Sequence, residues 1–289
     1  MENNKNTKYL IPASIILSTI IVVYAWTNGN QRLVPSSKND NESSQIATQT
    51  IELPVVWGDL GAQMINTGVI DYPQFEALYQ SRGGLSVQDK QLLEDLQNGN
   101  LKLNQENADL LLNILWAFGL GNKNEILKKG PMADPQYGGP AQFASTGGWT
   151  LAKGDVMNHY SKHLFIVLTP QQQALVEKVS KNIYRPCCNN STYFPDCNHG
   201  MAMLGLLELL ASQGASESQM YQTALQINTL WFPEQYATIA RYFESKGQTL
   251  SAIGPKEILG SKYSSVSGFS RIAALIPQEN RQGGGSCGI

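Results

Sequence analysis

The chain has 289 residues and a formal net charge of −2, and charged residues make up 15 % of it. That fraction is low against roughly 25 % in an ordinary globular protein. Because basic residues are not in excess, the chain offers no electrostatic surface for nucleic acid, and nucleic acid is not expected as a partner.

An uncharged N-terminal segment, Tyr9–Trp26, predicts one transmembrane signal-anchor helix. As a helix it spans roughly 27 Å, close to the thickness of the hydrocarbon core of a bilayer. Lys5 and Lys8 precede it, which favours a cytoplasmic N-terminus at 1–8 and a body outside the cytoplasm. A cleavable signal peptide is the alternative, although its apolar core is usually only about 7–15 residues long. We therefore expect a single-pass membrane protein that contacts the lipid bilayer through residues 9–26.

The part that follows the anchor divides into a linker and a folded body. Residues 27–50 are rich in Asn, Ser, Gln and Thr and have no apolar period, which is typical of a flexible polar linker. Residues 51–289 contain no internal repeat and no second linker. They are predicted to form a single helical globular domain of the mostly α class, outside the cytoplasm.

Cap residues mark where the helices of this domain are expected to begin. The candidate caps include Ser86, Asn104, Thr169 and Ser216, and apolar residues at helical spacing follow Asn104 and Thr169. A shorter helix is expected to end at Gly130 in the left-handed conformation. Strand signals are few, and the sequence predicts at most a short hairpin near Trp149 or Phe165–Leu168.

Two further segments bear on function. Pro131–Gly154 is a long glycine-containing stretch, typical either of a functional loop or of a packed surface loop. Met201–Ala211 is apolar almost all round, with Glu208 as its one charged residue, which predicts a buried helix.

Two of the three histidines, His159 and His163, are four residues apart. Asp155 is expected to cap a helix that contains both, so that their side chains lie on one face. Two imidazoles in that arrangement can bind one metal ion at about 2.0–2.1 Å each. The alternative is a pair of ordinary histidines at the edge of the core.

Cys187 and Cys188 are adjacent in a turn-rich loop. Neighbouring Cα atoms lie about 3.8 Å apart, whereas a disulfide requires roughly 4.4–6.8 Å, so a bond between these two would be strained. Each is therefore expected to pair with a distant cysteine or to remain a thiol.

Cys197 lies where the buried helix is expected to begin, with Asp196 or Asn198 as its cap. A thiol in the first turn of a helix has a lowered pKa, and a thiolate is both the better metal ligand and the better nucleophile. His199 follows two residues later and could bind a metal or act as a base.

The fourth cysteine, Cys287, follows three consecutive glycines in the C-terminal tail. Those glycines give the backbone freedom to bring Cys287 against another surface. Cys287 is therefore a candidate fourth partner for the other three cysteines.

These donors favour an extracytoplasmic binding site for copper or zinc, serving metal binding, delivery or resistance. The candidate metal ligands are Cys187, Cys188, Cys197, His199, Cys287, His159 and His163. The spacing Cys-Cys-x8-Cys-x-His matches no common zinc motif, so the interpretation depends on the chain folding these residues together.

Two alternatives remain open at this stage. Four cysteines in an oxidising compartment can form two disulfides, and the domain would then bind a partner protein without catalysis. Otherwise Cys197 is the nucleophile of a thiol-dependent enzyme, with His199 as its base. A serine hydrolase and a nucleotide cofactor are disfavoured, because the chain lacks Gly-x-Ser-x-Gly, Gly-x-Gly-x-x-Gly and the phosphate-binding loop.

Overall fold

The computed structural model describes residues 50–276. The predicted transmembrane helix at 9–26, the predicted linker up to residue 49 and Cys287 lie outside the described residues. Within residues 50–276, no helix is both long and apolar enough to cross a membrane.

Helices dominate the described part of the chain, so the mostly-α prediction is confirmed. In chain order they are Leu60–Thr67 (α1), Tyr72–Gln80 (α2), Val87–Glu94 (α3), Ala108–Gly121 (α4), Glu125–Lys129 (α5), Ala144–Gly147 (α6), Pro170–Ser180 (α7), Asn198–Ser212 (α8), Glu217–Trp231 (α9), Pro233–Glu244 (α10), Pro255–Ile258 (α11), Ser261–Ser264 (α12) and Val266–Ala273 (α13). Short 3-10 turns lie at Pro131–Ala133, Pro135–Tyr137, Pro140–Gln142, Val156–Asn158 and Leu250–Ala252.

Three of the predicted caps are confirmed in detail. Ser86, Thr169 and Ser216 each accept a hydrogen bond from the backbone three residues later, and each forms a capping box. Such reciprocal bonds satisfy two backbone donors that the first turn of a helix would otherwise leave free. These three starts are therefore determined by local sequence.

Two other predicted helix ends differ from the structure. Asn104 does not cap α4; its side chain accepts from the backbone of Glu106 and Asn107 in a turn, and α4 begins at Ala108. Gly130 follows α5 as predicted, but its φ is −77°, so it is not left-handed.

The structure also contains a two-stranded sheet that the sequence did not predict. Ile51–Gly58 (β1) pairs antiparallel with Asn98–Leu103 (β2), and the register joins Ile51 to Leu103 and Gly58 to Asn98. Alternate residues of β1 are buried, as expected of a strand with one face on the core. The hairpin predicted near Trp149 or Phe165–Leu168 is wrong, because neither segment is a strand.

The predicted helix through His159 and His163 is also wrong. Asp155 does cap the segment, accepting from the backbone of Met157, but it opens only the 3-10 turn Val156–Asn158. Ser161 then takes a φ of +51°, in the left-handed region, and turns the chain back.

The buried helix α8 lies at the centre of the domain and packs closely on α4. A Cβ added at Gly119 of α4 would lie 2.3 Å from the carbonyl oxygen of Met201, and one at Gly205 of α8 would lie 2.7 Å from that of Leu115. Only glycine permits this approach of two helix backbones. The prediction of a buried helix at 201–211 is confirmed, since every residue of that range is buried.

A second apolar cluster joins α10 to the C-terminal helices. Its fully or nearly buried members are Phe232, Tyr236, Ile239, Phe243, Ile258, Tyr263 and Ile272. Cys187 packs against it. The loop with the adjacent cysteines therefore lies between this cluster and the N-terminal end of α8.

Candidate metal centre

Three sulfur atoms come together at the N-terminal end of α8. The Sγ atoms of Cys187, Cys188 and Cys197 all lie within 4.8 Å of one another, and we call these residues the cysteine cluster. Cys197 Sγ is 3.8 Å from that of Cys187 and 3.9 Å from that of Cys188. Disulfide sulfurs lie about 2.05 Å apart, so the three cysteines of the described chain are free thiols.

Backbone hydrogen bonds hold the loop of the cysteine cluster. The amide of Val266, at the start of α13, donates to the carbonyl of Cys188 at 2.9 Å, and Ser267 donates to the side chain of Asn189 at 3.0 Å. The amide of Thr192 donates to Ile183 at 2.8 Å and closes the loop. The sulfurs of Cys187 and Cys188 are therefore carried on a loop fixed at both of its ends.

Cys197 is itself the cap residue of α8, in the place where the sequence suggested Asp196 or Asn198. Its sulfur accepts a hydrogen bond from the amide of Gly200 at 3.4 Å. The partial positive charge at the start of a helix favours an anion there. The cap position thus stabilises a thiolate on Cys197.

Arg185 is the residue of this site that sequence reasoning missed. Its side chain is fully buried, and Nη2 donates to the sulfur of Cys188 at 3.1 Å. The guanidinium also donates to Thr192 Oγ1 at 3.0 Å and to the carbonyl of Asn190 at 3.2 Å. A buried cation is costly unless anions compensate it. The local signal was an arginine two residues before the Cys-Cys pair.

Two anionic groups can provide that compensation. A carboxylate oxygen of Asp196 lies 3.8 Å from Nη2 of Arg185, and its side chain is 21 % exposed. Asn190 donates to the other oxygen of Asp196 at 2.7 Å. The second anion is the thiolate of Cys197, whose charge favours the protonated form of Arg185.

The three thiols of the cluster have different acidities. Hydrogen bonds from Cys187 and Cys188, with the charge of Arg185, hold the pKa of Cys197 well below its usual range, although burial opposes this. Hydrogen bonds to Cys188 and Cys197, together with burial, raise the pKa of Cys187. The bond with Cys187 lowers the pKa of Cys188, but the bond to Cys197 and burial raise it more. At neutral pH the cysteine cluster therefore contains one thiolate, on Cys197, which accepts hydrogen bonds from the thiols of Cys187 and Cys188.

The spacing of the sulfurs suits a metal ion. Four ligands at about 2.3 Å in a tetrahedron, the usual zinc–sulfur geometry, lie about 3.8 Å apart. The two sulfur separations measured from Cys197 are 3.8 and 3.9 Å. Two of the three sulfur separations thus match a tetrahedral site, and the third, between Cys187 and Cys188, is no longer than 4.8 Å.

His199 lies next to the cysteine cluster, but neither of its ring nitrogens lies within 4.8 Å of all three sulfurs. Its Nδ1 lies 2.9 Å from Asn198 Oδ1, and its ring packs on Phe232 and Trp231 with centroids 4.6 and 5.5 Å away. Burial lowers the pKa of His199 to about 4, against a smaller opposing effect of Cys197. At neutral pH it is an uncharged imidazole held in an aromatic setting.

His159 and His163 form a separate pair, which we call the histidine pair. His159 Nδ1 lies 3.1 Å from His163 Nε2. The pair lies at the C-terminal end of α4, where His163 pairs with Asn122 and Asn122 donates to Glu208 of α8. Glu208 is eleven residues along α8 from Cys197, about 16 Å. The structure therefore does not bring these two imidazoles to the cysteine cluster.

Comparison with known proteins adds no family to this picture. The chain matches no protein-family model, no curated protein and no solved structure. The arguments for function therefore come from the geometry of the site.

Proposed function

We propose that this protein binds a thiophilic metal ion, zinc or copper(I), through Cys187, Cys188 and Cys197. The observation that carries the proposal is that three sulfurs lie within 4.8 Å of one another beside a buried arginine. In line with the predicted anchor at 9–26, we place this domain outside the cytoplasm, where it would serve metal binding, delivery or resistance.

The charges of the site favour a cation between the sulfurs. Three thiolates carry −3 and Arg185 carries +1, so Zn²⁺ brings these groups to zero and Cu⁺ leaves −1. Asp196, at the edge of the site, and the thiolate of a fourth cysteine each add one negative charge in either case. Zinc is therefore the better compensated ion, whereas copper(I) gains from the softness of sulfur ligands.

Cys287 is the proposed fourth ligand. The described chain ends at Ile276, shortly after α13, whose first residue is bonded to Cys188. Helix α13 is about 12 Å long, and eleven further residues reach up to about 36 Å when extended. The tail is therefore long enough to return Cys287 to the cluster.

Metal counting on the full-length chain, purified with reductant, tests the proposal. We expect one zinc per chain that depends on these cysteines, and at least tenfold weaker binding of that ion in Cys187→Ser, Cys188→Ser and Cys197→Ser. Ser191→Ala, in the same loop, is the matched control and should bind as the wild type does. A wild-type chain that binds no zinc while its thiols remain titratable would contradict the proposal.

A thiol-dependent activity of Cys197 is the second candidate, and its lowered pKa is the observation that favours it. A thiolate is the nucleophilic form of cysteine. Iodoacetamide separates the two functions: a catalytic Cys197 is alkylated much faster than Cys187 and Cys188 and stays reactive when zinc is added. A metal ligand is protected by one equivalent of zinc.

A further inference from the structure

The histidine pair has two ring nitrogens directed at each other. His159 Nδ1 and His163 Nε2 lie 3.1 Å apart, and the other nitrogen of His159, Nε2, lies 3.1 Å from the carbonyl oxygen of Lys153. Since a carbonyl can only accept, Nε2 carries the proton and Nδ1 has a free lone pair. That lone pair is directed at His163.

The backbone around the pair fixes this arrangement. The amide of His163 donates to Gly121 at 2.9 Å, and the amide of Lys123 donates back to the carbonyl of His163 at 2.7 Å. The left-handed turn at Ser161 brings His163 against His159. Because the turn is held by these bonds, the two rings meet without depending on a helix.

The separation of the two nitrogens matches that of two imidazoles on one metal ion. Nitrogens at about 2.0–2.1 Å from an ion, at angles between 90° and 109°, lie about 2.9–3.4 Å apart. The observed separation of 3.1 Å lies in that range. A histidine that binds a metal usually donates its other N–H to a carbonyl or carboxylate, as His159 does to Lys153.

We propose that His159 and His163 form a second metal site, separate from the cysteine cluster. It takes a borderline divalent ion such as zinc or copper(II), through His159 Nδ1 and His163 Nε2, with His163 in the neutral tautomer that carries its proton on Nδ1. Water or an incoming ligand fills the other positions. Copper(II) binds more tightly than zinc at such a nitrogen site, following the general order for divalent ions.

The two sites differ in ligand type and position. The cysteine cluster offers sulfur at the N-terminal end of α8, and the histidine pair offers nitrogen about 16 Å along that helix. The proposal of a metal site at the histidine pair does not depend on metal binding at the cysteine cluster. Loss of one should leave the other intact.

Zinc titration of the reduced full-length chain tests the proposal, with imidazole nitrogen NMR as the readout. The chain contains three histidines, so each ring can be followed separately. We expect zinc to shift His159 Nδ1 and His163 Nε2 together, and His163→Gln to weaken this site at least tenfold. Lys162→Arg, between the two histidines, keeps the local charge, is the matched control and should leave the site unchanged.

The outcomes separate the two metal proposals. Cys188→Ser should lose the sulfur site and keep the ring shifts of the histidine pair. If zinc leaves the ring nitrogens of His159 and His163 unshifted, or if His163→Gln binds as much zinc as the wild type, the second site does not exist. The 3.1 Å contact is then only an N–H···N hydrogen bond.

Discussion

Nη2 of Arg185 lies 3.1 Å from the sulfur of Cys188, and no part of the Arg185 side chain is exposed. Alongside the hydrogen bonds among the three thiols, the charge of this buried guanidinium favours a thiolate in the cysteine cluster. Because Arg185 donates hydrogen bonds both to the loop and to a cysteine sulfur, substitutions of this one residue test the stability of the loop and the chemistry of the site.

Replacing Arg185 with Gln should destabilise the fold. The change leaves Asp196 and the Cys197 thiolate without their cation, and breaking a buried charge pair costs about 3–5 kcal/mol. Urea unfolding measures the loss. Arg82→Gln is the control, because Arg82 pairs with Asp109 at an exposed site, where such pairs contribute at most about 1 kcal/mol. Equal losses in the two variants would contradict the role assigned to Arg185.

Gly200→Ala should disturb the same contact from the helix side. A Cβ at Gly200 would lie 2.9 Å from Nη2 of Arg185 and 3.1 Å from its Cζ. Such overpacking typically costs about 1–3 kcal/mol, and zinc affinity should fall with it. Gly99→Ala in β2 is the control, since nothing lies within 4 Å of a Cβ there. An unchanged unfolding midpoint and zinc affinity in Gly200→Ala would show that the guanidinium can move aside freely.

Zinc binding should release protons. Cys187 and Cys188 have raised pKa values and hold their protons at neutral pH, whereas the lowered pKa of Cys197 leaves it deprotonated. Metal ligands must be thiolates, so Cys187 and Cys188 release about two protons per zinc bound near pH 7, and Cys287 as the fourth ligand releases a third. The apparent affinity should then rise at least about a hundredfold per pH unit. Calorimetry in buffers of different ionisation enthalpy counts the protons, and a count of zero would mean that the cysteines are not the ligands.

Glu208 should make the fold less stable as pH rises. It is fully buried, and burial raises its pKa to about 8, against smaller opposing effects of Asn122 and Asn124. The folded protein thus binds a proton that the unfolded chain, with a pKa near 4.5, releases. This contribution to stability is complete below pH 4.5 and is lost as pH rises toward 8, amounting to about 3 kcal/mol between pH 5 and 8.

Glu208→Gln removes this titration while keeping the shape of the side chain. The difference in unfolding free energy between wild type and variant should therefore change by about 3 kcal/mol between pH 5 and 8, in favour of the variant at high pH. Taking the difference cancels other groups, such as His199, that titrate in the same range. A pH-independent difference would show that Glu208 is ionised in the fold.

The parts of this structure that local sequence determines were predictable. The capping boxes at Ser86, Thr169 and Ser216 depend on residues three positions apart, and the burial of α8 depends on its own composition. The β1–β2 sheet depends on pairing Ile51 with Leu103 across a long intervening segment, which no local pattern specifies. Pro54 within β1 further weakened the strand signal.

The candidate site was predictable only as a set of residues. The sequence identifies the adjacent cysteines and Cys197 as candidate ligands. The packing of their loop on α13 and the burial of Arg185 depend on tertiary contacts, which the local sequence does not specify. His159 and His163 do meet, as their spacing predicted, although through the turn at Ser161 and not through a helix. The expectation that they join the cysteines is wrong. Their distance from the cysteines depends on how α4 packs on α8, which sequence spacing alone does not reveal.

X-ray absorption at the zinc edge, on the reduced full-length chain loaded with one equivalent of zinc, tests the central claim most directly. We predict a first shell of at least three sulfurs at about 2.3 Å, lost in Cys197→Ser. A first shell made only of nitrogen and oxygen would contradict the assignment of Cys187, Cys188 and Cys197 as the metal site.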